Sequence, residues 1–462
     1  MPRSMPAPPV PPVPAWAPSP SPAPQRSAAV PEGRTRRLLH FGRAVGEMAA
    51  GAAAEGVVQL ARGQRPALAQ LMLTPANARR LAERLSQMRG AVMKVGQLLS
   101  MDGHGVLPPH FADLLGGLRD QAHVMPATQL AEVLEREYGP AWHRRFKRLS
   151  FEPVAAASIG QVHRAETHDG RVLALKIQYP GVRRSIASDM ANLALLLRTP
   201  GLVPAGLDPG MVPALLARVQ AQLEHETDYR AEVRAAQAYR GKLGADPVLT
   251  VPAVDEEHCT EHIIATAFAP GVPVDRLAAP GVPQAQRDHV AMALSRLAVH
   301  EFFRMRLVQT DPNFGNYLFD ASTGRIALID FGATEAVTDA RVEQLRELGR
   351  ALRADDVPRL EAAAMAAGFT AAVDPPAQTA GVIGLMRLAG EPLRHAGAYD
   401  FGVSTLFSRS FEQGRAQFFG EGYARTPPPD LLFLQRKFAG TFMLCTRLRA
   451  QIDLAAVFGA EL

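Results

Sequence analysis

The stretch PVAAASIGQVHRAETHDGRVLALKIQYP, which spans residues 153–180, decides the fold of this chain. Its apolar beginning leads into residues 161–165, where polar and apolar side chains alternate with the period of a β-strand. A loop with Asp169-Gly170 follows, and a second strand then ends in Ala-Leu-Lys at Lys176. The stretch predicts a β-hairpin and leaves open whether its alanine-rich turn binds phosphate or only reverses the chain.

The composition of the 462-residue chain bounds its class. This length is enough for the cores of two or three domains, and the apolar fraction of 47% predicts that most of the chain folds. The net charge of +5 is modest and the basic residues form no tract, which argues against a nucleic-acid partner. Cys259 and Cys445 form no metal or redox motif, so we expect a reducing compartment and cysteines that pack in the core.

Targeting signals are not evident in the sequence. No stretch of about 18 uncharged apolar residues predicts a transmembrane helix. The Pro-rich start is unlike a secretory signal or a mitochondrial transit peptide. Because the Ala-, Arg- and Pro-rich composition is typical of a high-GC bacterial genome, we expect a bacterial cytoplasmic protein with peripheral contact to the inner membrane.

Composition and periodicity divide the chain into a disordered Pro-rich tail over residues 1–33, a helical extension over 34–147, a sheet-containing lobe over 148–275 and a helical lobe over 276–462. Residues 34–63 carry glycines in GxxxG spacing, which suits either close helix packing within the domain or contact with lipid. Helices are expected over 77–99, 130–138, 141–149, 186–197, 211–239, 286–305 and most of the chain after 336, and a strand over 261–269.

Lys176 at the end of the second strand can bind an ATP phosphate only if a carboxylate orients its ammonium group. The segment LEHETDYRAEV offers Glu226, Asp228 and Glu232 on a predicted helix. Asp228 and Glu232 are four residues apart and can share a helix face, whereas Glu226 and Asp228 cannot.

Two further motifs have the spacing of magnesium-dependent phosphoryl transfer. In QTDPNFGNYLF, Asp311 and Asn316 are separated by four residues, as in the catalytic loop of protein kinases. In ALIDFGAT, an apolar strand ends at Asp330, whose carboxylate is a suitable Mg²⁺ ligand. The residues between Asn316 and Asp330 are enough for a β-hairpin that links the two ligands. Each motif alone is weak, but their order along the chain predicts nucleotide binding.

These motifs together resemble the UbiB/AarF-type atypical kinase-like proteins of ubiquinone (coenzyme Q) biosynthesis. The resemblance covers residues 35–455 and rests on KVGQ at 94–97, AAASIGQVHRA at 155–165, ETD at 226–228 and DFGAT at 330–334. QTDPNFGN, DFGAT and the C-terminal FLQRKFAGTFMLCTRLRA are most similar to the mitochondrial coenzyme-Q branch. Many bacterial members have His-Pro where this chain has Asn313-Phe314, and they end in two membrane spans that are not predicted here.

The resemblance implies an α+β fold, namely a two-lobed protein-kinase-like structure with an N-terminal helical extension over the active site. It also implies that an alanine-rich loop replaces the kinase glycine-rich loop at the ATP site. This loop consists of Ala155, Ala156, Ala157, Ser158, Ile159, Gly160 and Gln161. Its Cβ atoms block the positive φ and the close backbone approach that glycines permit, which predicts little phosphorylation of proteins.

The same resemblance assigns roles to the phosphate and metal residues. Lys176 would bind the ATP phosphates, and Glu232 would be its ion-pair partner. Asp311 would be the catalytic-loop aspartate. Asn316 and Asp330 would hold Mg²⁺.

Further residues would shape the site. Lys94 and Gln97 of the KxGQ motif would lie on the helical extension, opposite Glu226 and Asp228, and exclude bulky substrates. Ala267 would lie in the hinge, where adenine is read by main-chain groups.

The leading hypothesis is a Mg²⁺-dependent ATPase or atypical kinase that supports ubiquinone biosynthesis at a membrane surface. The alternatives are a kinase for a small hydroxyl compound and a nucleotide-binding scaffold that does not hydrolyse ATP. The expected cofactors are ATP and Mg²⁺, and the expected partners are a lipid or quinone precursor and other enzymes of ubiquinone biosynthesis.

Overall fold

The computed structural model describes residues 124–197, 211–311, 313–417 and 428–462. The expected tail, the glycine-spaced helix over 34–63, the helix over 77–99 and both KxGQ residues, Lys94 and Gln97, lie outside the described residues. The chain divides into two compact units. The first comprises Met1–Val233 with Ala253–Phe268, and the second comprises Arg234–Pro252 with Ala269–Leu462.

The first unit contains an antiparallel sheet with the strand order β1-β2-β3-β5. Its strands are β1 (Arg148–Ala156), β2 (Gly160–Glu166), β3 (Val172–Gln178) and β5 (Ile263–Ala267). Its helices are α1 (Ala127–Tyr138), α2 (Val182–Leu197), α3 (Met211–Glu226) and the first residues of α4 (Tyr229–Leu243). The predicted hairpin is confirmed as β2 and β3, which are paired from Gly160 and Gln178 onwards.

Two helix predictions were wrong in their extent. Residues 141–149 form only a 3₁₀ turn at Trp142–Arg144, because Arg148 already pairs with Glu166 as the first residue of β1. The helix expected over 211–239 is interrupted between α3 and α4, at Thr227 and Asp228.

One face of this sheet packs on α1. The buried residues of α1 have the spacing of one helix face, and they share a cluster with alternate residues of β3. The cluster includes Leu130, Val133, Leu134, Leu173, Leu175 and Ile177. Because neighbouring strand residues point to opposite faces, Lys176 lies on the face away from this cluster.

The second unit contains a four-stranded sheet with the order β4-β9-β8-β6 and two two-stranded pairings, β7 with β10 and β11 with β12. The strands are β4 (Leu249–Thr250), β6 (Val272–Pro273), β7 (Leu307–Gln309), β8 (Tyr317–Asp320), β9 (Arg325–Leu328), β10 (Thr334–Ala336), β11 (Tyr399–Asp400) and β12 (Gln451–Ile452).

Helices form most of the second unit, as predicted for the C-terminal half. They are α5 (Gln284–His300), α6 (Asp339–Ala354), α7 (Val357–Ala367), α8 (Pro376–Ala389), α9 (Glu391–Arg394), α10 (Leu406–Arg415), α11 (Pro429–Leu448) and α12 (Leu454–Gly459). α5 continues into a π-helical turn at Glu301–Met305. In the part of the chain that the structure describes, no helix combines the length and the apolar character of a membrane span.

The core of the second unit forms where α5 and its π-helical turn pack on α11. Ser295 of α5 lies 3.7 Å from the sulfur of Cys445, and the rings of Phe302 and Phe438 stack with centroids 5.2 Å apart. Cys445 is buried, Cys259 is partly buried, and both are free thiols.

Candidate active site

Lys176 of β3 and Glu232 of α4 form a two-point ion pair in the first unit. The Lys176 Nζ atom lies 2.7 Å from Oε1 and 2.9 Å from Oε2 of the carboxylate. The side chains are 16% and 7% exposed, and the ring centroid of Tyr229 lies 5.4 Å from the ammonium group. This ammonium group is therefore held in one direction by a shielded carboxylate, which is the arrangement that a phosphate-binding lysine needs.

The break between α3 and α4 brings Glu232 to Lys176. The Oδ1 atom of Asp228 accepts the N–H of Ala231 at 2.8 Å, so Asp228 is the N-cap of α4. The Gln178 side chain donates to the carbonyl of Thr227 at 3.1 Å, which ties the break to the end of β3. Sequence reasoning missed this cap, although a Thr-Asp pair before a helical segment is a recognised helix-start signal.

The alanine-rich loop closes the turn between β1 and β2. The N–H of Ala157 donates to the carbonyl of Gly160 at 2.9 Å, and the Ser158 hydroxyl donates to Glu226 at 2.8 Å. Glu226, the last residue of α3, thus contacts the loop itself. Ala155 and Ala156 are exposed, which leaves the start of the loop open to a ligand.

Gln161 has a structural role that sequence reasoning did not foresee. Its side chain is buried, accepts the N–H of Met125 at 2.9 Å and lies 2.7 Å from Nε2 of His163. The side chain of Gln161 is therefore already engaged within the first unit. The backbone N–H of Ala267 is also engaged, since it donates to the carbonyl of Ala253 at 2.8 Å.

The second unit brings Asp311 and Asn316 together. The Asn316 Nδ2 group donates to Oδ2 of Asp311 at 3.3 Å. The side-chain oxygen of Asn316 is of the type that a hard cation such as Mg²⁺ prefers. Asn313 caps the 3₁₀ turn Phe314–Asn316 by accepting the N–H of Gly315, which shapes the loop. Arg436 of α11 places Nη2 at 3.8 Å from Oδ1 of Asp311, a contact that sequence reasoning did not predict.

The expected hairpin joins the two predicted metal ligands. Tyr317 of β8 pairs with Leu328 of β9, and the N–H of Ile329 donates to the carbonyl of Asn316 at 3.1 Å. Asp330 is the next residue, so both predicted ligands lie at the same end of the hairpin. The N–H of Gly332 donates to Oδ1 of Asp330 at 3.1 Å and orients the carboxylate. Two oxygen donors at one hairpin end fit Mg²⁺, which favours oxygen ligands and keeps several waters.

Phe331 anchors this end of the hairpin. Its ring is buried and lies 4.9 Å, centroid to centroid, from the ring of Tyr239 on α4. The aromatic contact fixes the backbone that carries Asp330.

Asp255, Glu257 and His258 form another group close enough to share a metal ion, within the residues that the structure describes. Asp255 is already engaged, however, because His258 Nδ1 lies 2.8 Å from one of its oxygens and the Arg171 guanidinium pairs with the other. This group is best described as a partly buried ion-pair cluster.

Comparison with known proteins decides the family. Residues 117–363 match the ABC1 atypical kinase-like domain. The chain belongs to the ABC1 atypical kinase-like family. This family member is 36% identical over 441 residues to the mitochondrial atypical kinase COQ8B of Rattus norvegicus, over 94% of this chain and 81% of that protein. It is 32% identical over 435 residues to the mitochondrial atypical kinase COQ8 of Saccharomyces cerevisiae, over 94% of this chain and 85% of that protein.

A solved structure supports the same assignment. The complex of Rv3197 with erythromycin, from Mycobacterium tuberculosis, has a TM-score of 0.57 and 26% sequence identity, over 84% of this chain and 96% of that chain. These findings confirm the predicted family, its coenzyme-Q branch and the kinase-like α+β fold. They also confirm an atypical kinase of ubiquinone biosynthesis, and the kinase-like domain implies ATP binding.

The expected location in the bacterial cytoplasm is wrong. The relatives that match over most of this ABC1 family chain are named as mitochondrial proteins, which points to mitochondria. The expectation rested on an Ala-, Arg- and Pro-rich composition, which reflects the base content of a genome and carries no physical signal for a compartment.

Proposed function

We propose that this ABC1 family protein uses Mg²⁺ and ATP as an atypical kinase or ATPase in ubiquinone biosynthesis, with little phosphorylation of proteins. The Lys176–Glu232 pair is the observation that carries the proposal, because it holds a lysine ammonium ready for phosphate. Asn316 and Asp330, at one end of a hairpin, support the metal part of the proposal. When bound, Mg²⁺ would neutralise charge on the phosphates.

The alanine-rich loop supports weak activity on proteins. Alanine Cβ atoms keep the loop backbone further from phosphates than glycines would. The Ser158–Glu226 hydrogen bond also ties the loop to α3, which restricts its movement. Exclusion of bulky substrates by Lys94 and Gln97 stays a prediction, since both lie outside the described residues.

A kinase for a small hydroxyl compound is the second candidate. Asp311 favours it, because its carboxylate is oriented by Asn316 and Arg436 and is suited to accept a hydroxyl proton. A lipid or quinone precursor and other enzymes of ubiquinone biosynthesis are proposed partners, on the strength of the family alone.

The test is ATP hydrolysis by the purified chain with and without Mg²⁺, in the presence and absence of anionic liposomes. Asp330→Asn should reduce turnover at least tenfold. Asp320→Asn, at the other end of the same hairpin, should keep turnover near wild type. Lipid-stimulated turnover would support action at a membrane surface. ATP binding without turnover would favour the non-hydrolysing scaffold, and labelled phosphate on a small hydroxyl compound, lost in Asp311→Asn, would favour the second candidate.

Nucleotide binding is tested separately at Lys176. Lys176→Met should weaken ATP binding at least tenfold in calorimetry, because the phosphates lose their cation. Lys147→Met is the matched control, since Lys147 also pairs with a glutamate at 2.6 Å, but on the exposed surface. Equal ATP affinity of the two variants would contradict the proposed role of Lys176.

A further inference from the structure

A charged pair is buried in the second unit. Glu301, the first residue of the π-helical turn, is 0% exposed, and the side chain of Lys437 on α11 is 3% exposed. The Lys437 Nζ atom lies 2.6 Å from Oε2 of Glu301. Burial disfavours the lysine cation, but Glu301 and Tyr317 outweigh this effect and raise the pKa of Lys437, so the side chain stays charged. Buried pairs of this kind often contribute less to stability than apolar residues of the same volume, so another reason for this pair is required.

The Lys437–Glu301 pair is hydrogen-bonded to three neighbouring residues, namely Tyr239, Gln309 and Tyr317. The other oxygen of Glu301 accepts the Tyr239 hydroxyl at 2.6 Å and the N–H of Gln309 at 3.1 Å. The Lys437 ammonium also donates to the Tyr317 hydroxyl at 3.3 Å. Tyr317 in turn donates to the side-chain oxygen of Gln309 at 3.2 Å.

Gln309 and Tyr317 are the two ends of the loop that carries the proposed catalytic residues. Asp311 lies two residues after Gln309, and Asn316 directly precedes Tyr317. The Tyr317–Gln309 hydrogen bond joins these ends, while Glu301 holds the backbone of one end and Lys437 the side chain of the other. π-Helical turns are often found at functional sites, and this turn presents Glu301 to the loop.

We propose that the Lys437–Glu301 pair is a positioning device that fixes both ends of the catalytic loop, so that Asp311 and Asn316 keep their mutual geometry. Neither residue touches the reacting atoms, and both act through Gln309 and Tyr317. This inference rests on the proposed function, and it predicts an effect on the chemical step more than on ATP affinity.

The test neutralises both charges together in Lys437→Met/Glu301→Gln, because removing one partner alone would leave a buried charge unpaired. The glutamine keeps a side-chain oxygen for Tyr239 and for the N–H of Gln309. We expect kcat to fall at least tenfold, the KM for ATP to stay within about threefold, and half-saturation by Mg²⁺ to need a higher concentration. We also expect the backbone amides of residues 309–311 and 313–317 to exchange hydrogen at least tenfold faster.

If the double variant does not fold, two single tyrosine variants test the same inference. Tyr239 and Tyr399 are both buried and both donate a hydroxyl hydrogen bond to a glutamate at 2.6 Å, to Glu301 and Glu391 respectively. Tyr239→Phe should lower kcat and speed exchange in the loop, whereas Tyr399→Phe should change neither.

The inference would be overturned if the double variant had a lower Tm but the kcat and the hydrogen exchange of the loop stayed as in the wild type. The pair would then only stabilise the fold. Absence of Mg²⁺-dependent turnover in the wild type would instead overturn the proposed function. In that case hydrogen exchange still decides this inference, because faster exchange of residues 309–311 and 313–317 supports it and unchanged exchange contradicts it.

Discussion

Packing requires a glycine at position 160 of the alanine-rich loop. A Cβ atom at this position would lie 2.4 Å from the carbonyl oxygen of Ile177, a backbone atom that cannot move away cheaply. Its φ is outside the left-handed region, so glycine is needed here for close approach of β2 to β3. The loop therefore keeps a glycine for packing, while Ala155 and Ala156 are exposed.

Gly160→Ala should destabilise the protein by about 1–3 kcal/mol, because the added methyl group forces β2 and β3 apart. Chemical unfolding measures the change. Gly241→Ala is the control, since an added Cβ in the exposed part of α4 meets no atom within 4 Å. That variant should be neutral or more stable by up to about 1 kcal/mol. Equal loss of stability in both variants would show that the contact with Ile177 does not matter.

At the scale of the element, β2 is built around a buried neutral histidine. His163 is 0% exposed, and its Nδ1–H donates to the carbonyl of Ser150 in β1 at 2.8 Å. Its Nε2 accepts from the Gln161 side chain at 2.7 Å. Burial lowers the pKa of His163 from 6.5 to about 4, because a cation would lose its solvation and the Gln161 hydrogen bond.

The sheet should consequently lose stability in acid. Between pH 6.5 and pH 4 the unfolded chain binds a proton at this histidine that the folded state does not. The free energy of unfolding should therefore fall by about 3 kcal/mol over that window as the pH decreases. Urea unfolding at several pH values measures the slope. The free energy of unfolding should depend less on pH in His163→Gln. In His168→Gln, at an exposed position of the same hairpin, it should depend on pH as in the wild type. An unchanged slope in His163→Gln would contradict the assignment.

At the scale of the whole molecule, the second unit contains Asn316 and Asp330, the proposed metal ligands, and the first unit contains Lys176, the proposed phosphate-binding lysine. A ligand that binds only the folded chain stabilises it by mass action, by about 2.7 kcal/mol at 100 times its Kd. The family assignment makes ATP that ligand.

Mg²⁺ and ATP together should raise the Tm by several degrees at saturating concentration, and Mg²⁺ alone should not. Differential scanning fluorimetry of the full chain measures this. The rise should be smaller in Asp330→Asn, because the nucleotide would bind without its metal. The same Tm with and without Mg²⁺ and ATP would argue against nucleotide binding by the folded protein.

Short-range patterns predicted much of the site. Alternation over β2 and β3 predicted a strand that ends at Lys176, and the structure extends that strand by two residues to Gln178. The residues between Asn316 and Asp330 form the expected hairpin. Helix bounds were less predictable, because the strand pairing of Arg148 and the cap at Asp228 depend on partners outside the local sequence.

The sequence by itself determined the family and the kinase-like fold, because the motifs and their order along the chain carry the resemblance. The resemblance also named Glu232 as the ion-pair partner of Lys176, whereas the local pattern left Glu226, Asp228 and Glu232 open. Tertiary structure alone decided that Gln161 is buried and that Lys437 meets Glu301, 136 residues away, beside the loop that carries Asp311 and Asn316. The physical reason is that burial and charge pairing depend on which distant segments pack together, and local periodicity does not contain that information.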